Sequence, residues 1–247
     1  MAAKLLDGSV KVFGDTPVLC GHRGSGRGHE ANTLPSFEAA VAAGLRWVEV
    51  DARATADGVL VARHDPDLED GRSVAALPAA ETGLMRVDDL FEALPEEVAI
   101  NVEVKSALED ALRAREDTTA ALVASLVARH SRHVLVTSFD PAALLIVREL
   151  RPSAAVGLLT WIRFPLRKAI PAARHLGADV VAAHVESFPP EAATPVRVAH
   201  EAGLEVAAWC PVPEERDALL EAGVDCLVID DVTASAAAGE PARQRSA

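Results

Sequence analysis

Short β-branched, apolar runs alternate with longer stretches of helical period along nearly the whole chain, and this rhythm predicts a parallel sheet joined by crossover helices. The β-like runs are 17–22, 45–51, 99–105, 134–138, 155–159, 179–184, 205–210 and 226–230. Helices are predicted between them at 34–43, 87–94, 108–129, 141–150, 165–175, 190–202 and 213–221. Eight strands with seven intervening helices predict an α/β fold, the (β/α)8 TIM barrel. Asn32-Thr33, Asp140-Pro141 and the acidic turn after Pro213 are helix-start signals, and Gly44, Gly177, Gly203 and Gly223 stand where helices should stop.

A ninth β-like run, 59–64, lies too close to the second strand for a parallel crossover, which needs about a dozen residues. Between the two runs sits Asp57-Gly58, the strongest hairpin-turn signal in the chain. A β-hairpin excursion after the second strand is therefore predicted, returning His64 roughly opposite Asp51. One barrel domain is expected over 1–234, with a disordered tail over 235–247, where large apolar residues are lacking.

The chain has 247 residues, half of them apolar, enough to bury a full core. No stretch approaches the roughly 20 apolar residues of a membrane span, and the start lacks an apolar run of signal-peptide length. The expectation is a cytoplasmic protein without stable membrane association. A formal charge of −13 disfavours nucleic acid as a partner, so an anionic substrate would need a local cation. Cys20, Cys210 and Cys226 are odd in number and widely spaced; they read as reduced, strand-borne residues rather than a disulfide framework or zinc cluster.

Chemistry enters with the run 99–105, which places Ile100, Val102 and Val104 on one face and Asn101, Glu103 and Lys105 on the other. In 45–51, Glu49 and Asp51 likewise share a face opposite Val48 and Val50, whereas Trp47, earlier on that face, reads as barrel core. Catalytic groups of (β/α)8 barrels lie at the C-terminal strand ends. There the chain places Gly21-His22-Arg23-Gly24, Glu49-Val50-Asp51, the returning His64-Asp65, and Glu103-Val104-Lys105. Three converging carboxylates repel one another unless a hard divalent cation neutralises them, which suits Mg²⁺ or Ca²⁺. Two histidines beside such a metal suit general acid and base work, and Arg23 and Lys105 offer positive charge to a phosphate.

The motifs Gly21-His22-Arg23-Gly24, Asn32-Thr33, Phe37, Glu49-x-Asp51, Asp57-Gly58, His64-Asp65 and Glu103-x-Lys105 occur in an order that resembles the glycerophosphodiester phosphodiesterases. Ser138-Phe139-Asp140, Gly203 to Trp209, Gly223-Val224-Asp225 and Asp230 extend the resemblance over nearly the whole chain. It implies metal ligands at Glu49, Asp51 and Glu103, with Mg²⁺, Ca²⁺ or Mn²⁺ as the ion. It also implies a catalytic acid and base at His22 and His64, phosphate contacts from Arg23 and Lys105, and a pocket lined by Phe139 and Trp209. The implied reaction turns a small glycerophosphodiester into an alcohol and glycerol 3-phosphate. Water or the neighbouring glycerol hydroxyl is the attacking oxygen.

The chain departs from the family's pattern at several points. Ala31 stands where Pro-Glu-Asn-Thr would place a glutamate, leaving Glu30 or His29 to substitute. The segment after His64-Asp65 is shortened, Trp209 is followed by Cys210-Pro211, and Ile229 replaces a common threonine. Two other readings follow: a lysophospholipase D with an apolar groove beside Trp161, Phe164 and Phe188, or a noncatalytic phosphodiester-binding barrel. His184 ends a strand and could reach the pocket.

Overall fold

The computed structural model describes residues 11–26 and 28–232. Eight parallel strands close into a barrel: β1 (Val18–His22), β2 (Trp47–Ala54), β4 (Ala99–Val104), β5 (Val134–Ser138), β6 (Ala155–Thr160), β7 (Val180–His184), β8 (Glu205–Trp209) and β9 (Cys226–Ile229). Closure comes from β1, which pairs with both β2 and β9. The remaining strand, β3 (Leu60–Ala62), runs antiparallel to the end of β2. Helices α1 (Leu34–Ala42), α2 (Ala79–Thr82), α3 (Val87–Ala93), α4 (Thr119–Arg129), α5 (Pro141–Leu150), α6 (Leu166–Leu176), α7 (Ala193–Glu201) and α8 (Pro213–Glu221) complete the fold. The predicted barrel is the observed one. The expected tail, 235–247, lies outside the described residues.

Period-2 alternation divides the core into two layers. Val48, Val50, Ile100 and Val102 point outward, fully buried in the layer shared with the helices. Cys20, Trp47, Ala99, Leu135, Ala182, Ala207, Cys226 and Val228 point inward and pack with Val12 and Phe13. Phe13 packs its ring 5.2 Å from that of Trp47. Main-chain N–H groups of Val12 and Phe13 donate to the carboxylate of Glu205 at the start of β8. Trp47 is thus barrel core as expected.

The hairpin forms at the predicted turn: Thr55 N–H donates to Val59 O (3.0 Å), and Gly58 takes the left-handed φ of +74°. Its ladder is shorter than the sequence suggests. Only Leu60–Ala62 pairs with β2, and Arg63 rather than His64 meets Asp51, its N–H donating to Asp51 O at 3.1 Å. His64 lies one residue beyond.

The helix expected over 108–129 is interrupted. Two short 3-10 turns, Leu108–Leu112 and Arg115–Asp117, precede α4. Local capping overrides the helical pattern there. The Asp110 carboxylate accepts from the N–H groups of Ala107 and Thr119 (both 3.1 Å), and Thr118 Oγ1 accepts from Ala121 N–H. Arg113 reaches across to the carbonyl of Thr55 at 2.9 Å, tying this segment to the hairpin. No helix among the described residues is long and apolar enough to cross a membrane.

Candidate active site

Beyond the apolar inner layer, the inward positions of β2 and β4 nearer the C-terminal end carry polar groups. On β2 these are Glu49, Asp51 and Arg53, and on β4 Asn101 and Glu103, with Lys105 next. Register sets Glu49 beside Asn101 and Asp51 beside Glu103, so both acidic strand faces meet across one ladder. Oxygen atoms from Glu49, Asp51 and Glu103 all lie within 4.8 Å of one another, and all three residues are buried.

Each carboxylate is held differently. Glu49 Oε2 accepts from Arg23 N–H (3.0 Å). Asp51 Oδ2 accepts from Asn32 Nδ2 (2.8 Å) and lies 3.1 Å from Arg23 Nε, while Lys105 Nζ sits 3.0 Å from Asp51 Oδ1 and also contacts Glu103. Burial pushes the Glu49 carboxyl up to about 8, the charge of Asp51 adding to it and His22 opposing it. Burial likewise raises Glu103 against the pull of Lys105. Burial acts upward on Asp51 too, but Lys105 and Arg23 outweigh it and hold that group below the usual carboxylate range.

These residues fit a hard divalent cation. Glu49 Oε1 is buried with no hydrogen-bond partner among the described residues, and three crowded carboxylates present the oxygen donors that such an ion takes. The acidic cluster could therefore hold a metal.

The two histidines differ in setting. His22 is largely buried; its Nδ1 lies 2.5 Å from Asp230 Oδ1, and its Nε2 is 3.9 Å from Glu49 Oε2. Burial works against its charge, yet the Asp230 hydrogen bond, Cys210 and Glu49 together lift its pKa to about 10. His64 is half-exposed at the rim, with Nδ1 2.8 Å from Asp65 Oδ1. Burial lowers its pKa in spite of that bond.

A cavity of about 570 Å³ joins these groups. It is lined by His22, Arg23, Glu49, His64, Glu103 and Lys105, and by Phe139 and Trp209 on the far wall. Asp51 is buried behind, reached through Arg23 and Lys105. Phe139 stacks on Trp161 (centroids 4.5 Å apart, planes at 28°) and meets Trp209 edge-on at 5.9 Å. Trp209 Nε1 is buried on this wall without a partner among the described residues, a donor available to a ligand oxygen.

All nine residues expected at the site thus converge. The other candidates divide. Trp161 lines the cavity, whereas Phe164 and Phe188, which an acyl-chain groove would require beside it, pack against the outer core. His184 does not line the cavity: its Nδ1 accepts from Glu186 N–H (3.1 Å) and its ring supports Trp209 at 4.4 Å. Glu30 and His29, beside Ala31, are exposed and are not among the residues that line the cavity.

Four contributors went unrecognised in the sequence. Arg53 lines the cavity and donates through Nε to His64 O at 3.0 Å; extending the Glu49-x-Asp51 alternation by two residues would have found it. Asp230 continues the inward row of Cys226 and Val228, so the same rule points to it. Asn32, which grips Asp51 from a left-handed turn (φ +60°), and Cys210, 3.8 Å from His22, carry no such signal.

The model of the glycerophosphoryl diester phosphodiesterase family matches residues 22–234. Over 225 residues the chain is 30% identical to "Probable glycerophosphodiester phosphodiesterase 2" of Mycobacterium tuberculosis (strain ATCC 25618 / H37Rv), covering 81% of each protein. An Oleispira antarctica phosphodiesterase, solved with the product sn-glycerol-3-phosphate, superposes with a TM-score of 0.78 at 24% identity, covering 91% of this chain and 98% of that one. The glycerophosphodiester phosphodiesterase of Thermotoga maritima gives 0.71 at 22% identity, covering 88% and 96%. At those identities the two structures speak for the fold alone.

Proposed function

This chain belongs to the glycerophosphoryl diester phosphodiesterase family and is a phosphoric diester hydrolase, and from that premise we propose that it uses a divalent cation and two histidines to release glycerol 3-phosphate. The observation that carries this reading is the convergence of three buried carboxylates, His22 and His64 around one cavity. Glu49, Asp51 and Glu103 would hold the cation, Mg²⁺ or Ca²⁺ by donor type with Mn²⁺ as a third candidate, and the ion would polarise the phosphodiester.

The opposite displacements of the two histidines divide their labour. His22, kept protonated by Asp230, gives a proton from Nε2 to the departing alkoxide. His64, kept neutral, takes the proton of the attacking oxygen. That oxygen is water, or the neighbouring glycerol hydroxyl, whose attack closes a cyclic phosphate that a water then opens to glycerol 3-phosphate. Arg23 and Lys105 draw the phosphate toward the carboxylate cluster, and the Phe139 and Trp209 wall receives the carbon skeleton while Trp209 Nε1 donates to an oxygen of the ligand. The substrate is a small, deacylated glycerophosphodiester: Phe164 and Phe188, on which an acyl-chain groove would draw, pack against the core and do not line the cavity.

A substrate panel tests this reading. Purified protein with Mg²⁺, Ca²⁺ or Mn²⁺ should release glycerol 3-phosphate from at least one of glycerophosphocholine, glycerophosphoethanolamine and glycerophosphoglycerol, and faster than from the matching lysophospholipids. Faster turnover of the acylated substrates would transfer the assignment to lysophospholipase D. Binding without turnover of any of them would leave the noncatalytic barrel.

A further inference from the structure

Opposite the carboxylate cluster, His22 belongs to a second group of metal-ligating atoms. His22 Nδ1, Cys210 Sγ and Asp230 Oδ1 all lie within 4.8 Å of one another, with Sγ 3.8 Å and Oδ1 2.5 Å from the ring nitrogen. We propose that His22, Cys210 and Asp230 form a second cation site, selective for a thiophilic dication such as Zn²⁺, whose occupation withdraws His22 from hydrolysis.

Donor chemistry separates the two sites. One nitrogen, one sulfur and one oxygen make a set that Zn²⁺ prefers, whereas Mg²⁺ and Ca²⁺ take oxygens and would remain with Glu49, Asp51 and Glu103. Tetrahedral zinc spaces a nitrogen and a sulfur ligand about 3.6 Å apart, and a nitrogen and a carboxylate oxygen about 3.4 Å apart. The thiol already stands near that spacing. The Asp230 side chain, 62% exposed, is free to withdraw the short remaining distance. Binding exchanges two protons, from the imidazole Nδ1 and the thiol, for the metal, and both pass to solvent.

Cys210 also holds an unfavourable backbone conformation, φ +57°, in the left-handed region that glycine occupies freely. The pair is separated by 188 residues in sequence, which hides it from any spacing rule.

The inhibition, though not the binding, rests on His22 acting as the acid. With excess Mg²⁺ present, Co²⁺ titrated into the wild-type enzyme should give a thiolate-to-metal charge-transfer band that saturates at one equivalent. Zn²⁺ should abolish the band and reduce hydrolysis at least tenfold. Cys210→Ser and Cys210→Gly, the latter at ease with the positive φ, should show no band, and each should keep more than half of its own zinc-free rate at the same Zn²⁺ concentration. A wild type without the band, or with zinc inhibition equal to that of both variants, would overturn the site. A band that forms with hydrolysis undiminished would retain the site and overturn the role of His22.

Discussion

His22→Ala is expected to lower kcat for glycerophosphodiester hydrolysis by about 10²–10⁴-fold while the far-ultraviolet circular dichroism stays that of the wild type. The ring lies between a carboxylate that keeps it protonated and the acidic cluster, at the end of β1, so its loss removes a proton donor without opening the core. Its role as acid has a sharper signature. From a glycerophosphodiester of p-nitrophenol the p-nitrophenolate departs as a stable anion and needs no proton, so the variant should recover most of its rate on that substrate. His64→Ala should stay impaired on both, since a base is required whatever leaves. Equal losses for the two variants on the two substrates would contradict the division of labour.

Glu49→Gln should produce opposite changes in activity and in the stability of the metal-free protein. Burial lifts the Glu49 carboxyl to about 8 in the fold, against about 4.3 in the unfolded chain. A raised acid contributes its stability below the unfolded value and loses it as pH rises through the folded one. Metal-free wild type therefore carries at pH 9 a destabilising ionised Glu49 that the glutamine variant lacks. Melting temperatures should be nearly equal at pH 5 and differ at pH 9 by on the order of 5 °C in favour of the variant. Mg²⁺ should raise the melting temperature of the wild type and leave Glu49→Gln almost unmoved, and hydrolysis by the variant should fall at least a hundredfold. A variant that melts lower than the wild type at pH 9 would show that Glu49 is structurally paired and not held ready for a cation.

Much of the site was legible because strand geometry is simple. In Ala99–Val104 a period of two forces Asn101 and Glu103 onto one face, and the same rule aligns Glu49 with Asp51. Asp57-Gly58 announced the hairpin for an equally local reason, a turn that tolerates positive φ at its glycine. What local rules could not reach was contact between distant segments. The pairing of His22 with Asp230, the grip of Asn32 on Asp51 and the approach of Cys210 depend on how β1, β2, β8 and β9 meet after closure. The helix expected over 108–129 failed for another reason. Its helical pattern is real, but Asp110 and Thr118 offer the backbone stronger local partners, leaving Leu108 and Leu112 exposed. Lys105, a phosphate contact by resemblance, bridges Asp51 and Glu103 in the fold, so it balances the carboxylates as well as facing the cavity.

Release of glycerol 3-phosphate from glycerophosphocholine, followed in enzyme stripped of divalent ions by a chelator and then titrated with Mg²⁺, Ca²⁺ and Mn²⁺, tests the central claim most directly. Release should fall to background on stripping and return in full once a single equivalent of the effective ion is bound. Undiminished release by the stripped enzyme would contradict the assignment of Glu49, Asp51 and Glu103 as the seat of a catalytic cation.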